Sequence, residues 1–289
     1  MLRIKVYEGN KKMIYENFLE ENQEEEEFLQ VASRFNDEGL YQYIYWRMKN
    51  DTFTTTITPV SHKVHIIYVR SGCCMYDSTL VKAGDIYVTG LNKHPIVSKF
   101  KEIAMFTVDM DFAFYYRLTG MVPSLFCDRA LLIEEGNPFY QLGTKLFKLP
   151  LSYWVSIAEN FIGNLLEVSE YAVNYQLKSV IQASRQLKNQ KDLDVFKLSD
   201  NIDVSYRQLQ RYFTSILGLT PKEYISILRF NKAFWQLKDN NFIDAALGAG
   251  YYDQSHMIRE FKRMAGCTPT KFSKHKQFLA MKLANQVGK

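Results

Sequence analysis

Two stretches, SYRQLQRYFTSILGLTPKEYISILRFNKA at 205–233 and GYYDQSHMIREFKRMAGCTPTKF at 250–272, decide the fold of this 289-residue chain. Laid over each other at an offset of 48 residues, Arg211-Tyr212-Phe213 meets Arg259-Glu260-Phe261, and Gly218-Leu219-Thr220-Pro221 meets Gly266-Cys267-Thr268-Pro269. Leu209 meets Met257, and Tyr224 meets Phe272. A match at a fixed offset marks a duplicated structural unit. Each copy reads as two helices joined by a tight turn. In the first, Val195 to Asn201 forms the leading helix and Ser205 caps the next, with Gln208 three residues on to complete a capping box. In the second, Ile243 to Ala249 leads, Gly250 supplies a left-handed turn residue and Asp253 is the cap. Gly218 and Gly266 end the two second helices, and the Thr-Pro after each suits the first turn of a further helix.

Helical spacing gives each second helix an inner and an outer face. Leu209, Phe213 and Leu217 share one side in the first copy, Met257, Phe261 and Met264 in the second, and these are read as core. Tyr206, Arg207, Gln210 and Arg211, then Gln254, Ser255, Ile258 and Arg259, point outward near the helix starts. Arg and Gln make paired hydrogen bonds to guanine and adenine edges in a major groove, so this face fits base reading; taken singly, each is equally well a solvated surface residue. Charge supports the former. Residues 172–289 carry 19 Lys and Arg against 9 Asp and Glu, while residues 1–171 carry 17 against 22. A basic module joined to an acidic one is the electrostatic pattern of a nucleic-acid-binding domain attached to something else.

In these motifs, residues 190–273 resemble the DNA-binding domain of the AraC/XylS family of regulators. Both units, the helix between them and both Gly-x-Thr-Pro ends occur in order. The resemblance implies one helix from about Pro221 to Lys238 linking the units, and two recognition helices entering successive major grooves on one face of duplex DNA. Carried over position by position, it makes Arg207, Gln210, Arg211, Gln254, Ser255 and Arg259 the base-contacting residues. Lys222, Lys262 and Arg263, near helix ends, are then phosphate contacts, which position a protein without reading sequence. Departures are mild. Ala245 stands where the family prefers Ile, Asp203 replaces a common turn Gly, and Gly248 lies inside a leading helix at a cost of about 1 kcal/mol.

Upstream, short runs rich in Tyr, Ile, Thr and Val at 41–48, 53–58, 65–70, 86–90 and 103–109 are separated by turn-forming residues, and read as an antiparallel sheet or small barrel. Glu20, Glu21 and the run Glu24 to Glu27 read as a solvated helix face or a loose segment. Ser152 to Val168 carries a helical stripe of Val155, Ala158, Ile162, Leu165 and Leu166, suited to core or to a dimer seam, and a second amphipathic helix carries Leu177, Val180, Ile181 and Leu187. The boundary expected is a 1–171 module followed by 172–289. More loosely, Leu40 to Trp46, the strands through Gly90 and Asp111 to Gly120 resemble the cupin-like sensing domain of some regulators in the family. The fold class is therefore α+β: an N-terminal cupin-like antiparallel β-barrel with helices, then an all-α domain of two helix-turn-helix units. Tyr41, Tyr43 and Tyr45 alternate onto one strand face, which fits the lining of an effector pocket or plain core, core being the better fit for any single residue.

Enzyme chemistry finds little footing. His62, His65 and His94 are the ligands a metal cupin would offer, but His62 and His65 lie on opposite faces of a strand and the His-x-His pattern is missing. No cysteine stands in the Pro-Cys-His-Arg setting of a DNA-repair methyltransferase. Cys73, Cys74, Cys127 and Cys267 show no CxxC spacing and read as reduced thiols. No cofactor or metal is expected. The expected partners are duplex DNA, RNA polymerase, a small-molecule effector and a second copy of the chain. A regulator governed without an effector, by dimerisation or a protein partner, is the open alternative. With no apolar run of eighteen residues and no leader-like start, a cytoplasmic, membrane-free protein is the simplest expectation.

Overall fold

A computed structural model describes residues 3–5, 14–16, 25–169, 171–189, 198, 202–236 and 248–274. Apart from Leu198, Gly248 and Ala249, the expected leading helices at 195–201 and 243–249 lie outside these residues. A small hairpin pairs β1 (Arg3–Lys5) with β2 (Ile14–Glu16). The main sheet is antiparallel, with strands β3 (Glu25–Ala32), β4 (Leu40–Thr58), β5 (Val64–Tyr76), β6 (Thr79–Lys82), β7 (Ile86–Gly90), β8 (Ile96–Met110) and β9 (Leu131–Leu132) in the spatial order β3-β4-β8-β5-β7-β9 and β6 beside β5.

Alternation along the strands gives this sheet two apolar faces. Tyr45 and Tyr68 both stand opposite Phe106, as Tyr43 and Ile66 stand opposite Val108. This face is covered by helices α1 (Phe112–Thr119), α2 (Pro138–Leu146) and α3 (Trp154–Val168). Trp154 meets Phe106 edge-on at 5.4 Å, and Tyr68 donates its hydroxyl to the Phe139 carbonyl at 3.2 Å. The other face carries Phe28, Ile44, Trp46, Ile67, Val69, Tyr87 and Phe100 in a separate cluster, with Trp46 edge-on to Phe100 at 5.1 Å.

Three expectations change. The sheet is open rather than a closed barrel: β3 and β9 lie at its two ends and do not pair with each other among the described residues. Aromatic side chains fill its second face, and the two-residue β9 offers little backbone to close a ladder. Glu25 to Glu27 open β3 instead of sitting on a helix or in a loose segment. There the pattern continues as Phe28, Leu29, Gln30 and Val31, and Glu27 accepts from Arg47 across the strand pair at 3.0 Å; charge on an edge strand discourages further pairing. The runs at 41–48 and 53–58 form one strand, β4, whose register with β8 breaks between Lys49 and Thr54 at the Asn50-Asp51 turn signal.

The C-terminal region contains α4 (Tyr175–Asn189), α5 (Tyr206–Leu217), α6 (Pro221–Gln236), α7 (Gln254–Ala265) and α8 (Pro269–Lys274). Leu177, Val180 and Leu187 of α4 are buried, as their spacing requires. One continuous buried cluster runs from Tyr43 and Phe106 of the sheet through these helices to Met264 and Cys267.

Candidate nucleic-acid interface

Helix α5 starts where its sequence says it should. Ser205 Oγ accepts from the Gln208 amide at 3.3 Å, and Gln208 Oε1 accepts from the Ser205 amide at 3.1 Å, a complete capping box. Ahead of it, Asp203 takes the left-handed conformation at φ 55°, so the turn is built although its usual glycine is missing. Helix α7 starts at Asp253, whose Oδ1 accepts from the His256 amide at 2.6 Å, after Gly250 at φ 80°. Gly218 and Gly266 end the two helices at φ 75° and 76°. Thr220 then caps α6 through the Glu223 amide at 3.2 Å, and Thr268 Oγ1 accepts from the Lys271 amide at 3.3 Å. The duplication visible in the sequence is thus a duplication of helix ends.

Helix α6 joins the two units. Phe213 of α5 packs edge-on against Tyr224 at 5.7 Å, and Phe261 of α7 lies 5.1 Å from Phe230. The two capped helices therefore both rest on α6, at positions six residues apart. Leu209, Phe213 and Leu217, like Met257, Phe261 and Met264, are buried. Arg207, Gln210 and Arg211 on α5, and Gln254, Ser255 and Arg259 on α7, are all exposed. Tyr206 and Ile258 are half-buried at the edges of these faces. Lys222 and Lys262 are exposed, whereas Arg263 is committed to Glu260 through two hydrogen bonds of 3.0 and 2.9 Å. Arg229 lies beside Gly250, at the turn within the second unit.

The aromatic strand residues are dispersed. Tyr43 is buried and stacks on Phe106 at 5.9 Å under the helices. Tyr45 borders a shallow cleft of about 430 Å³ with Glu27, Arg47, Arg70, Ser71, Ala104 and Leu151. Tyr41 instead faces the C-terminal helices: its hydroxyl lies 3.3 Å from Asp111 Oδ2 and 3.4 Å from Lys188 Nζ, with Lys63 5.0 Å above its ring.

Around Tyr41 lies a polar cluster that sequence reading missed. Lys188 of α4 forms an ion pair with Asp111, which also caps α1 through the Ala113 amide at 2.8 Å. Burial opposes the Lys188 charge, but Tyr224, Asp111 and Tyr41 facing it outweigh that cost and raise its pKa. On the neighbouring strands Asp109 accepts from Gln42 at 2.8 Å and lies 2.7 Å from His65 Nδ1, whose Nε2 is 3.0 Å from Ser61 Oγ. Burial would raise the Asp109 carboxyl, yet the His65 ring, Lys63 and Gln42 hold it below the usual carboxylate range. Burial, with Lys188 and Lys63 adding to it, pushes the His62 imidazole well below its ordinary value. Both ring nitrogens of His65 are engaged, and among the described residues no group of three His, Cys, Asp or Glu side chains could hold a metal ion. The one sequence signal for Lys188 was its place on the flank of the apolar stripe of α4, four residues after buried Ser184.

The family described as "Helix-turn-helix domain" matches residues 198–275, which span both recognition helices. The C-terminal unit is a helix-turn-helix domain of the AraC type. Over 92 residues the chain is 34% identical to the HTH-type transcriptional activator RhaS of Mannheimia succiniciproducens, covering 30% of this chain and 34% of that protein. Over 84 residues it is 31% identical to the HTH-type transcriptional regulator ExsA of Pseudomonas aeruginosa, covering 27% of this chain and 30% of that protein. The chain thus matches about a third of the length of each, in both cases a length fitting the AraC-type domain alone. The crystal structure of unsaturated fatty acid bound wild-type ToxT from Vibrio cholerae is similar over 88% of this chain and 96% of its own, with a TM-score of 0.50 and 13% identity. That likeness is one of fold: an N-terminal β domain followed by a helical helix-turn-helix domain. Among the described residues, no helix is long and apolar enough to cross a membrane.

Proposed function

We propose that this chain is a sequence-specific DNA-binding transcription regulator, its AraC-type domain at 172–289 reading two successive major grooves and its module at 1–171 responding to a small-molecule effector. The observation that carries the DNA reading is the pair of exposed Arg and Gln faces at the starts of two capped helices fixed to one rod. Arg207, Gln210, Arg211, Gln254, Ser255 and Arg259 read bases; Lys222 and Lys262 meet phosphate, with Arg263 available only if it leaves Glu260. A protein acting on the cell's DNA together with RNA polymerase works in the cytoplasm. The effector reading draws its support from the cleft beside Tyr45, which offers Arg70 to a bound molecule, with Arg47 available only if it leaves Glu27.

Titration of the full chain against a selected duplex and a scrambled one, at several salt concentrations, tests the DNA reading. Arg207→Ala or Arg259→Ala should cost about 1–3 kcal/mol on the selected duplex and relax preference at one or two base pairs. Lys262→Ala should weaken both duplexes alike and lower the salt slope by about one. Equal losses on both duplexes for the two arginine variants would show that they position the protein instead of reading it.

A further inference from the structure

The two recognition helices share one more feature. The last carbonyls of a helix have no partner inside it, and here one carbonyl in the final turn of each recognition helix is satisfied from the N-terminal region. Ser124 Oγ donates to the Ser215 carbonyl of α5 at 2.7 Å, and the Val60 amide donates to the Met264 carbonyl of α7 at 3.1 Å. The terminal glycines are covered as well. A Cβ on Gly218 would come within 2.6 Å of Cys127, and one on Gly266 within 3.4 Å of Ile57. A third tie from the N-terminal region to the C-terminal helices is the Lys188–Asp111 ion pair, with Tyr41 and Tyr224 facing the same ammonium. Meanwhile all six base-reading positions remain exposed. The N-terminal module grips both helices from behind and covers neither reading face.

From this we infer that Asp111 and Lys188 are positioning residues for DNA recognition: by latching the N-terminal module onto the trailing ends of both recognition helices, they determine which spacing between the two groove contacts the intact protein accepts. Helix α6 supplies a connection along one line only. The two rear contacts, one per unit, add the further fixed points that define an angle. The loop carrying Val60 is itself anchored, because Ser61 is bonded to His65 and His65 to Asp109, so the grip on the second unit is built into the sheet.

This inference rests on the DNA reading above, and its test separates the two. The full chain, its Asp111→Asn variant and its Lys188→Gln variant are titrated against three duplexes whose two contact patches stand at the selected spacing, one base pair closer and one base pair farther. Asn keeps the cap on α1 while removing the charge. Hydrogen exchange of the Val60 amide is followed in the same proteins without DNA. The wild-type chain should favour the selected spacing at least tenfold, both variants should lose threefold or more of that preference, and their Val60 amide should exchange at least three times faster. Unchanged discrimination, or unchanged protection of Val60 in both variants, overturns the latch and leaves spacing to α6 alone. Tighter binding of all three duplexes by the same factor overturns it too, since that is the behaviour of a cover. Failure of the wild-type chain to bind any duplex would sink the DNA reading beneath it.

Discussion

The two helix-turn-helix units share a plan but are held by different means. In the first, the turn residue is Asp203 in a conformation that suits glycine better, and a two-bond capping box secures the helix start. In the second, Gly250 takes the turn without strain and Asp253 caps through a single bond. The first core uses Leu209, Phe213 and Leu217, the second Met257, Phe261 and Met264, and Met fills space with less rotamer restriction than Leu. Repetition of spacing preserves where the exposed Arg and Gln residues stand; it leaves each unit free to find its own source of stability.

The largest effects should come from the two buried phenylalanines. Phe213→Ala and Phe261→Ala should each cost about 3–5 kcal/mol, measured by denaturant unfolding. The comparison sharpens if the Met-rich second core collapses around its cavity and gives the smaller loss. Next come the caps: Ser205→Ala and Asp253→Ala should cost about 1 kcal/mol each, with Ser205→Ala the greater because Ser205 Oγ both accepts from the Gln208 amide and donates to Gln208 Oε1, and both bonds go with it. A reversed order would show that the second helix start depends on its cap as heavily as the first.

Much of this was legible locally. Caps, terminal glycines and buried stripes each depend on residues within a few positions of one another, and all are where spacing put them; the linker helix, which the family resemblance implied, runs from Pro221 to Gln236 among the described residues. The two capped helices keep their Arg and Gln faces outward for the same reason. Long-range features were not legible. That Tyr41, Tyr43 and Tyr45 share a strand face could be read; that helices would cover Tyr43, and that Tyr41 would meet Lys188 147 residues away, could not. Lys188, Asp111 and Tyr224 come together only through tertiary packing. The Glu24 to Glu27 run misled because a charge run carries no period, whereas β3 is defined by its continuation through Phe28, Leu29, Gln30 and Val31.

A smaller effect distinguishes the units by pH. The folded pKa of His62 is depressed, so on acidification the unfolded chain takes up a proton first, below about pH 6.5. Stability is fully present above that value and is lost as pH falls toward the folded pKa. Asp109 is depressed too and adds a second loss only below the usual carboxylate range. Because His62 neighbours the Val60–Met264 contact, hydrogen exchange corrected for its intrinsic pH dependence should quicken between pH 7 and 5 in α7 more than in α5, and His62→Gln should remove the difference. Equal acceleration in both helices would break the assignment of this loop to the second unit. Least of all, Asp203→Gly should change stability by less than about 1 kcal/mol, relief of the left-handed strain being offset by the freer unfolded chain.

The central claim is that one chain presents two reading helices to one face of a duplex. Hydroxyl-radical footprinting of the intact protein on its selected site tests it most directly. Two protected patches about one helical turn, roughly 34 Å, apart on the same face are predicted. A single protected patch, unchanged when Arg207 or Arg259 is replaced, would contradict the account.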